Sequence, residues 1–251
     1  MIQTKSLEMT YPNGFKAVNG LDLTVGERDI FGFLGPNGAG KTTTLRMLTG
    51  LLKPTHGSVS IDSIDPQKAP LEVKKKIGIL PESHGFYNSM NAIEYLTYFA
   101  KLYQIPKKEY VSYIRDLLNK VGLSEKTGVP IGQYSRGMRQ RLGIAKTLIH
   151  KPQIIFLDEP TLGLDPIDQR DIHELILEIN REMNVTVLIT SHLLKDIEIL
   201  CNKVCIVKSG ILLEQGSIND LKDKYKAKLG METISIEDIF FHLTEDKEVK
   251  R

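Results

Sequence analysis

Eight residues, Gly35 to Thr42 in the order GPNGAGKT, have the types and spacing needed to hold a chain of phosphates. Glycines at 35, 38 and 40 let backbone N–H groups turn inward around phosphate oxygens. Lys41 supplies a point charge for β and γ phosphates, and the Thr42 hydroxyl is a hard ligand for Mg²⁺. The expected nucleotide contacts are therefore Asn37, Gly38, Ala39, Gly40, Lys41, Thr42 and Thr43. Further on, IIFLDEP sets Asp158 and Glu159 at the end of an apolar strand, the edge where ligands collect in open α/β sheets. Asp158 suits the Mg²⁺ coordination sphere. Glu159, one residue on, would polarise a water attacking the γ phosphate.

These groups need strands and helices to aim them. The apolar run Ile30 to Leu34 reads as a strand, and Leu45, Leu48 and Leu52 share one face of a following helix, so the loop joins strand to helix. Upstream, a strand up to Tyr11 and another from Phe15 to Val18 flank the turn Pro12-Asn13-Gly14, and Leu21 to Val25 alternates as a third. Val59 to Ile61 and Ile77 to Leu80 read as short strands. From Ser89 to about Gly122 the period becomes helical, first with Ile93, Leu96, Ala100 and Tyr103, then with Val111, Ile114, Leu118 and Val121. A loop from Ser124 to Tyr134 precedes a third helix bearing Met138, Leu142, Ala145 and Ile149, which Pro152 ends. The strand Ile154 to Leu157 leads to a long helix with Asp165 as N-cap, Pro166 in its first turn, and Ile172, Leu175, Ile176, Ile179 and Met183 along it. Strands at Val185 to Thr190, Lys203 to Lys208 and Ile211 to Gln215 follow, the last two joined by Ser209-Gly210. Ser235 and Asp238 are spaced as a capping box for a final helix with Ile236, Ile239, Phe240 and Leu243, and a charged end runs from Glu245 to Arg251.

Composition limits the partners. The 251 residues are 41% hydrophobic, enough for an ordinary core, and 33 basic against 31 acidic side chains leave a net charge of +2. That balance gives no electrostatic case for nucleic acid or an anionic membrane surface. No stretch approaches the roughly 20 apolar residues of a spanning helix, and MIQTKSLEMTY lacks the apolar core of a signal peptide, so a cytoplasmic chain is expected. Cys201 and Cys205 read as buried thiols rather than zinc ligands or a disulfide. Lys74 to Lys76 read as a solvated face.

GPNGAGKT, then YSRGMRQR at Tyr134 to Arg141, IIFLDEP, LGLDP and TSH, in that order and spacing, resemble the ATP-binding cassette (ABC) ATPases over nearly the whole chain. The resemblance implies an α/β P-loop NTPase fold with a mixed central sheet, an N-terminal antiparallel β subdomain and an inserted helical subdomain. It divides the chain into a nucleotide-binding core (1–86 and 152–220), a helical subdomain (87–151) and a C-terminal extension (221–251). It further implies two cassettes facing head to tail, each ATP clamped between one loop and the other subunit's signature. Ser135 and Gly137 would make that contact, at a helix start whose free N–H groups have no anion in the adjacent sequence. Tyr134, Arg136 and Met138 depart from the family's LSGGQ. Glu82 in ILPES stands where the family usually has Gln, so a carboxylate would join the Mg²⁺ sphere and the water-activating machinery. His192 in TSH matches the switch histidine that senses the γ phosphate. Asp165 matches the residue that crosses the dimer, Tyr11 the adenine-stacking aromatic, and Val18 an apolar contact beside it. His56, His84, His150, His173 and His242 read as surface or cap residues.

The expectation is thus an ATP-hydrolysing subunit, using ATP and Mg²⁺, that powers export by a separate membrane-spanning permease. It would act as a homodimer or with a related second cassette, peripheral on the inner face of the cell membrane. The forms of ILPESHGFY, YSRGM and SIEDIFFHLTED resemble cassettes of drug, antibiotic and bacteriocin exporters. Rivals are an importer subunit, a soluble non-transport ABC ATPase, a small-molecule kinase and a binding-only cassette. Chromosome-acting members insert long coiled coils between the loop and the signature, and residues 43–134 show no sustained heptads. A kinase leaves YSRGM, LGLDP and TSH unexplained, and a binding-only cassette leaves Glu159 and His192 unexplained.

Overall fold

In a computed structural model, which describes residues 1–83 and 85–245, the chain forms two compact units, residues 1–68 with 189–251 and residues 69–188. The reading of His84, and that of the charged end beyond Glu245, lie outside the described residues. The first unit opens with β1 (Ile2–Thr10), β2 (Lys16–Leu21), β3 (Thr24–Val25), β4 (Ile30–Leu34), α1 (Lys41–Leu48) and β5 (His56–Ile61). β1 pairs antiparallel with β2, β3 and β5, which gives the N-terminal antiparallel sheet. The expected third strand shrinks to two residues. Thr4 Oγ1 donates to the Leu21 carbonyl at 2.7 Å and accepts from the Leu23 N–H at 2.8 Å, replacing ladder bonds there. All five residues of β4 are buried, as an unbroken apolar run requires. α1 stops before Leu52, because Gly50 turns out of the helix at φ 73°.

The second unit runs through α2 (Pro70–Lys76), β6 (Ile77–Leu80), α3 (Ala92–Leu102), α4 (Lys107–Lys120), two single 3₁₀ turns, α5 (Arg136–Leu148), β7 (Ile154–Asp158) and α6 (Pro166–Met183). β6 and β7 are parallel, with Ile77 opposite Ile154 and Leu80 opposite Leu157. Of the stripes read from the sequence, Leu96, Ala100, Ile114, Leu118 and Val121 are buried, while Ile93, Tyr103 and Val111 lie at the exposed edge. α3 buries Ala92, Tyr95, Leu96 and Ala100, while Ile93 and Tyr103 stay 40% exposed; α4 buries Tyr110, Ile114, Leu117 and Leu118 and leaves Val111 out. Asn91 caps α3 with a reciprocal Glu94 box. β8 (Thr186–Thr190), fully buried, straddles the boundary between the units.

The return to the first unit adds α7 (Leu194–Leu200), β9 (Lys203–Lys208), β10 (Ile211–Ser217), α8 (Ile218–Leu229) and α9 (Ile236–Thr244). β9 runs parallel to β4 and antiparallel to β10, so this sheet is mixed. Ser209 and Gly210, at φ 50° and 78°, form the two-residue hairpin turn. Ser235 and Asp238 make the capping box of α9. Cys201 and Cys205 are free, buried thiols, and burial raises both pKa values. Two histidines correct the surface reading: His173 is buried in α6, and His150 is half-buried against Tyr103.

Candidate nucleotide site

Gly35 to Gly40 leave β4 and enter α1 through a turn whose two ends, Gly35 and Gly40, have no room for a side chain. A Cβ at Gly35 would lie 2.6 Å from the Val207 carbonyl oxygen, and one at Gly40, at φ 97°, would lie 2.3 Å from that of Ala17. Gly38 has φ 79° but open space around it. α1 has no side-chain cap; its N-cap is Gly40 itself. Lys41 Nζ donates to the carbonyls of Gly35 at 2.7 Å and Pro36 at 3.3 Å, so the ammonium spans the mouth of the loop. Pro36, Asn37, Gly38 and Thr42 are exposed, and Ala39 is buried.

Tyr11 stacks on Phe15 with ring centroids 6.5 Å apart, and its hydroxyl lies 3.2 Å from Thr43 Oγ1. The aromatic is thereby tied to the first turn of α1. Val18 is 1% exposed and packs under Gly40 rather than on an open face. His192, also in the first unit, is exposed in the turn after β8, where Ser191 Oγ accepts from the Leu193 N–H at 3.0 Å.

The second unit gathers the carboxylates. Asp158 ends β7, and Glu159 follows at φ 52°, a left-handed conformation uncommon for a non-glycine residue. Glu82 and Glu159 line one cavity of about 200 Å³ with Arg136, Arg139 and Gln140. Gln140 Nε2 donates to the Pro160 carbonyl at 2.6 Å, and the Arg136 guanidinium lies against Gly163, where a Cβ would come 2.2 Å from Nη1. The first turns of α5 therefore grip the turn that carries Glu159. Arg136, Arg139 and Gln140, at i, i+3 and i+4, share a face, which is the sequence signal that could have grouped them. Nothing local in the sequence points to their target.

Ser135 is the N-cap of α5, its Oγ accepting from the Met138 N–H at 3.1 Å. The adjacent sequence supplies no anion to this helix start, and tertiary folding brings one beside it. The Asp168 carboxylate of α6 occupies the space a Gly137 Cβ would need, at 2.0 to 2.2 Å, and Arg141 holds it at 3.1 Å. Asp165 caps α6 through the N–H groups of Ile167 and Asp168, at 3.0 and 2.9 Å.

A phosphate-type loop with its lysine across the mouth, a strand-end acidic pair and a serine-capped signature helix occur together in one chain. A family model described as ABC transporter matches residues 18–162. The chain belongs to the ABC transporter ATP-binding proteins. It is 42% identical over 229 residues to the bacitracin transport ATP-binding protein BcrA of Bacillus licheniformis, covering 91% of this chain and 74% of that one. Its fold matches a solved ATP-binding subunit of an ABC transporter with TM-score 0.85, at 25% identity, covering 98% of this chain and 100% of that one. It also matches a dimeric ATP-binding cassette in a post-hydrolysis state bound to ADP and Pi, with TM-score 0.76 and 26% identity over 86% of this chain and 98% of that one. This ABC chain is therefore an ATP-binding ATPase with the α/β fold of the family, resembling the antibiotic-transport branch. Among the described residues no helix is long and apolar enough to cross a membrane.

Proposed function

We propose that this ABC ATPase powers export through a separate membrane permease, and that two cassettes close on MgATP to do so. The likeness to a bacitracin transport protein supports a transport role, and the exporter-like forms of ILPESHGFY, YSRGM and SIEDIFFHLTED favour export. In this reading residues 1–86 and 152–220 act as the nucleotide core, 87–151 as the helical subdomain and 221–251 as a C-terminal extension. The chain sits on the inner face of the cell membrane, held by the permease, and has no nucleic-acid partner.

Tyr11 stacks on the adenine with Val18 beneath, while Asn37 to Thr43 cradle the phosphates and Lys41 moves from loop carbonyls to the β and γ phosphates. Thr42, Asp158 and Glu82 offer only hard oxygen donors, the set that Mg²⁺ prefers. When bound there, Mg²⁺ neutralises phosphate charge. Glu159 takes the proton of the attacking water, and the left-handed turn at Glu159, pinned by Gln140 and Arg136, orients its carboxylate. His192 hydrogen-bonds the γ phosphate and so distinguishes ATP from ADP. Ser135, Gly137 and Asp165 serve the ATP of the facing cassette, which is a second copy or a related chain; the dimeric cassette it resembles supports that pairing. Exposed Tyr87, Ile93, Tyr98 and Leu102, the last three on α3, form the apolar surface that meets the permease.

Replacing Glu159 with Gln should trap ATP in a closed dimer and abolish turnover; full ATPase activity in that variant removes Glu159 from the role. Reconstituting the chain with its co-purifying membrane protein in inverted vesicles should show ATP-dependent uptake of a cargo. Uptake only in right-side-out vesicles would reverse the direction.

A further inference from the structure

A second cavity in residues 69–188, of about 220 Å³, lies between β6, α3 and α5 and contains none of the nucleotide-site residues. Its polar lining is unbalanced. Lys146 and Lys74 contribute two ammonium groups, and no carboxylate faces them. Among the described residues neither lysine has an ion-pair partner. Lys146 Nζ sits over the Phe99 ring, 5.6 Å from its centroid, and burial holds its pKa below the ordinary lysine value.

The polar groups of the walls around it are satisfied except at one atom, the buried Nδ1 of His150, which has no hydrogen-bond partner among the described residues. Tyr103 lies flat on His150, with centroids 3.9 Å apart and rings 5° from parallel. His150 Nε2 lies 2.9 Å from the Ile77 carbonyl, which only accepts, so Nε2 carries the hydrogen. Burial lowers the His150 pKa, so the ring adds no charge at neutral pH. The Thr147 hydroxyl donates to the Ile144 carbonyl at 2.7 Å. What the cavity lacks is an anion. A half-desolvated ammonium without a counter-ion is costly, and an arriving carboxylate offsets that cost. The volume is below the roughly 300–1,000 Å³ of small-molecule pockets and suits a single anionic group.

The exposed residues of α3, the helix that contributes Phe99 to the cavity, point to the bearer of that group. Leu102, three residues beyond Phe99 on the same helical face, is 59% exposed, and Tyr98 and Tyr103 are 38% and 40% exposed. Tyr98 also meets Tyr87 edge-on at 5.6 Å, which extends the apolar surface. An apolar face around an unpaired ammonium complements an amphipathic helix with one acidic side chain.

We propose that this pocket is a carboxylate socket, in which Lys146 receives an Asp or Glu side chain from the permease helix that lies on α3. The proposal rests on the reading that α3 meets a permease. Its first test uses the free chain, with ¹³C at the lysine ε-carbons and the Lys146→Met variant to identify the signal. Acetate should shift the Lys146 signal saturably with a Kd of about 1–30 mM, and inorganic phosphate should shift it less. A larger response to phosphate, or none to acetate, overturns the carboxylate assignment. The second test uses membranes holding the whole transporter. Lys146→Glu should release the chain from membranes about tenfold more readily than Lys146→Arg, with the ATPase rate of the free chain unchanged. Release by Leu102→Ser but not by Lys146→Glu removes the socket and leaves the docking surface standing. Retention of both variants removes the docking surface, and with it the proposal.

Discussion

Helices α1 and α5 begin in opposite ways. α1 starts at a glycine with no side-chain cap, and the Lys41 ammonium beside its loop is bonded to the loop's own carbonyls. α5 starts at a serine whose oxygen already accepts from the third residue of the helix, and a carboxylate from α6 lies against its second residue. An uncapped helix start leaves N–H donors for a ligand to satisfy. A self-capped one is stable without a ligand. The cap uses a lone pair of Ser135 Oγ and leaves its O–H to donate, so the signature can offer a donor with no rearrangement. Under the proposed function, the first start is built to be completed by phosphate, and the second to be presented ready-made to a facing cassette.

The contrast breaks most visibly at Lys41. Lys41→Ala removes the charge meant for the phosphates; with charge-assisted bonds worth about 1.5–3 kcal/mol each, partly offset by the loop bonds that the wild-type lysine gives up on binding, ATP affinity should fall at least about 10-fold. Titration with a fluorescent ATP analogue reads this directly, and an affinity within threefold of wild type would mean the ammonium stays on Gly35. Next come the loop glycines. Gly40→Ala drives a Cβ into the Ala17 carbonyl at φ 97° and should cost about 2–3 kcal/mol, whereas Gly38→Ala meets nothing within 4 Å and should cost about 1 kcal/mol of left-handed strain. Chemical denaturation separates them, and equal losses would refute the packing argument. At the other helix, Gly137→Ala collides with Asp168 and loosens the Arg141 pair. A loss of about 1–3 kcal/mol is expected, without loss of ATP affinity in the free monomer.

These tests also mark how far the sequence reaches. The loop and its flanking strand were legible because every determinant is local: glycines at fixed offsets, an unbroken apolar run, a lysine after the third glycine. So were the caps at Asp165 and Ser235, which need only three neighbouring residues. α2 has no apolar stripe to read, since Val73 is its sole buried residue and three lysines close it. α8 was missed despite its Ser217 cap and Gly230 terminus, because lysines interrupt the pattern of Ile218, Leu221 and Tyr225. The centres of the α3 and α4 faces were legible in Leu96, Ala100, Ile114 and Leu118, but their edges were not, because aromatic Tyr95 and Tyr110 are buried where Ile93 and Val111 were expected. The contacts of Arg136 with Gly163, Gln140 with Pro160 and Asp168 with Gly137 join segments that only tertiary folding brings together. No periodicity within either segment encodes them.

The smallest expected effect is the most discriminating. Ser135→Ala removes the cap of α5 and should lower stability by about 1 kcal/mol. That loss alone says nothing about ATP, because it follows from capping whether or not the serine meets a nucleotide. Ser135→Asn separates the roles. Asparagine caps helices as well as serine does, so the thermal midpoint should return to the wild-type value. Its side chain is longer and presents an amide in place of the hydroxyl, so a donor set for a phosphate oxygen is misplaced. ATP-driven dimerisation in the Glu159→Gln background, followed by size exclusion, should therefore stay lost in Ser135→Asn while the fold is restored. If dimerisation returns with stability, α5 is only a capped helix, and the asymmetry between the two helix starts reflects packing rather than a shared site.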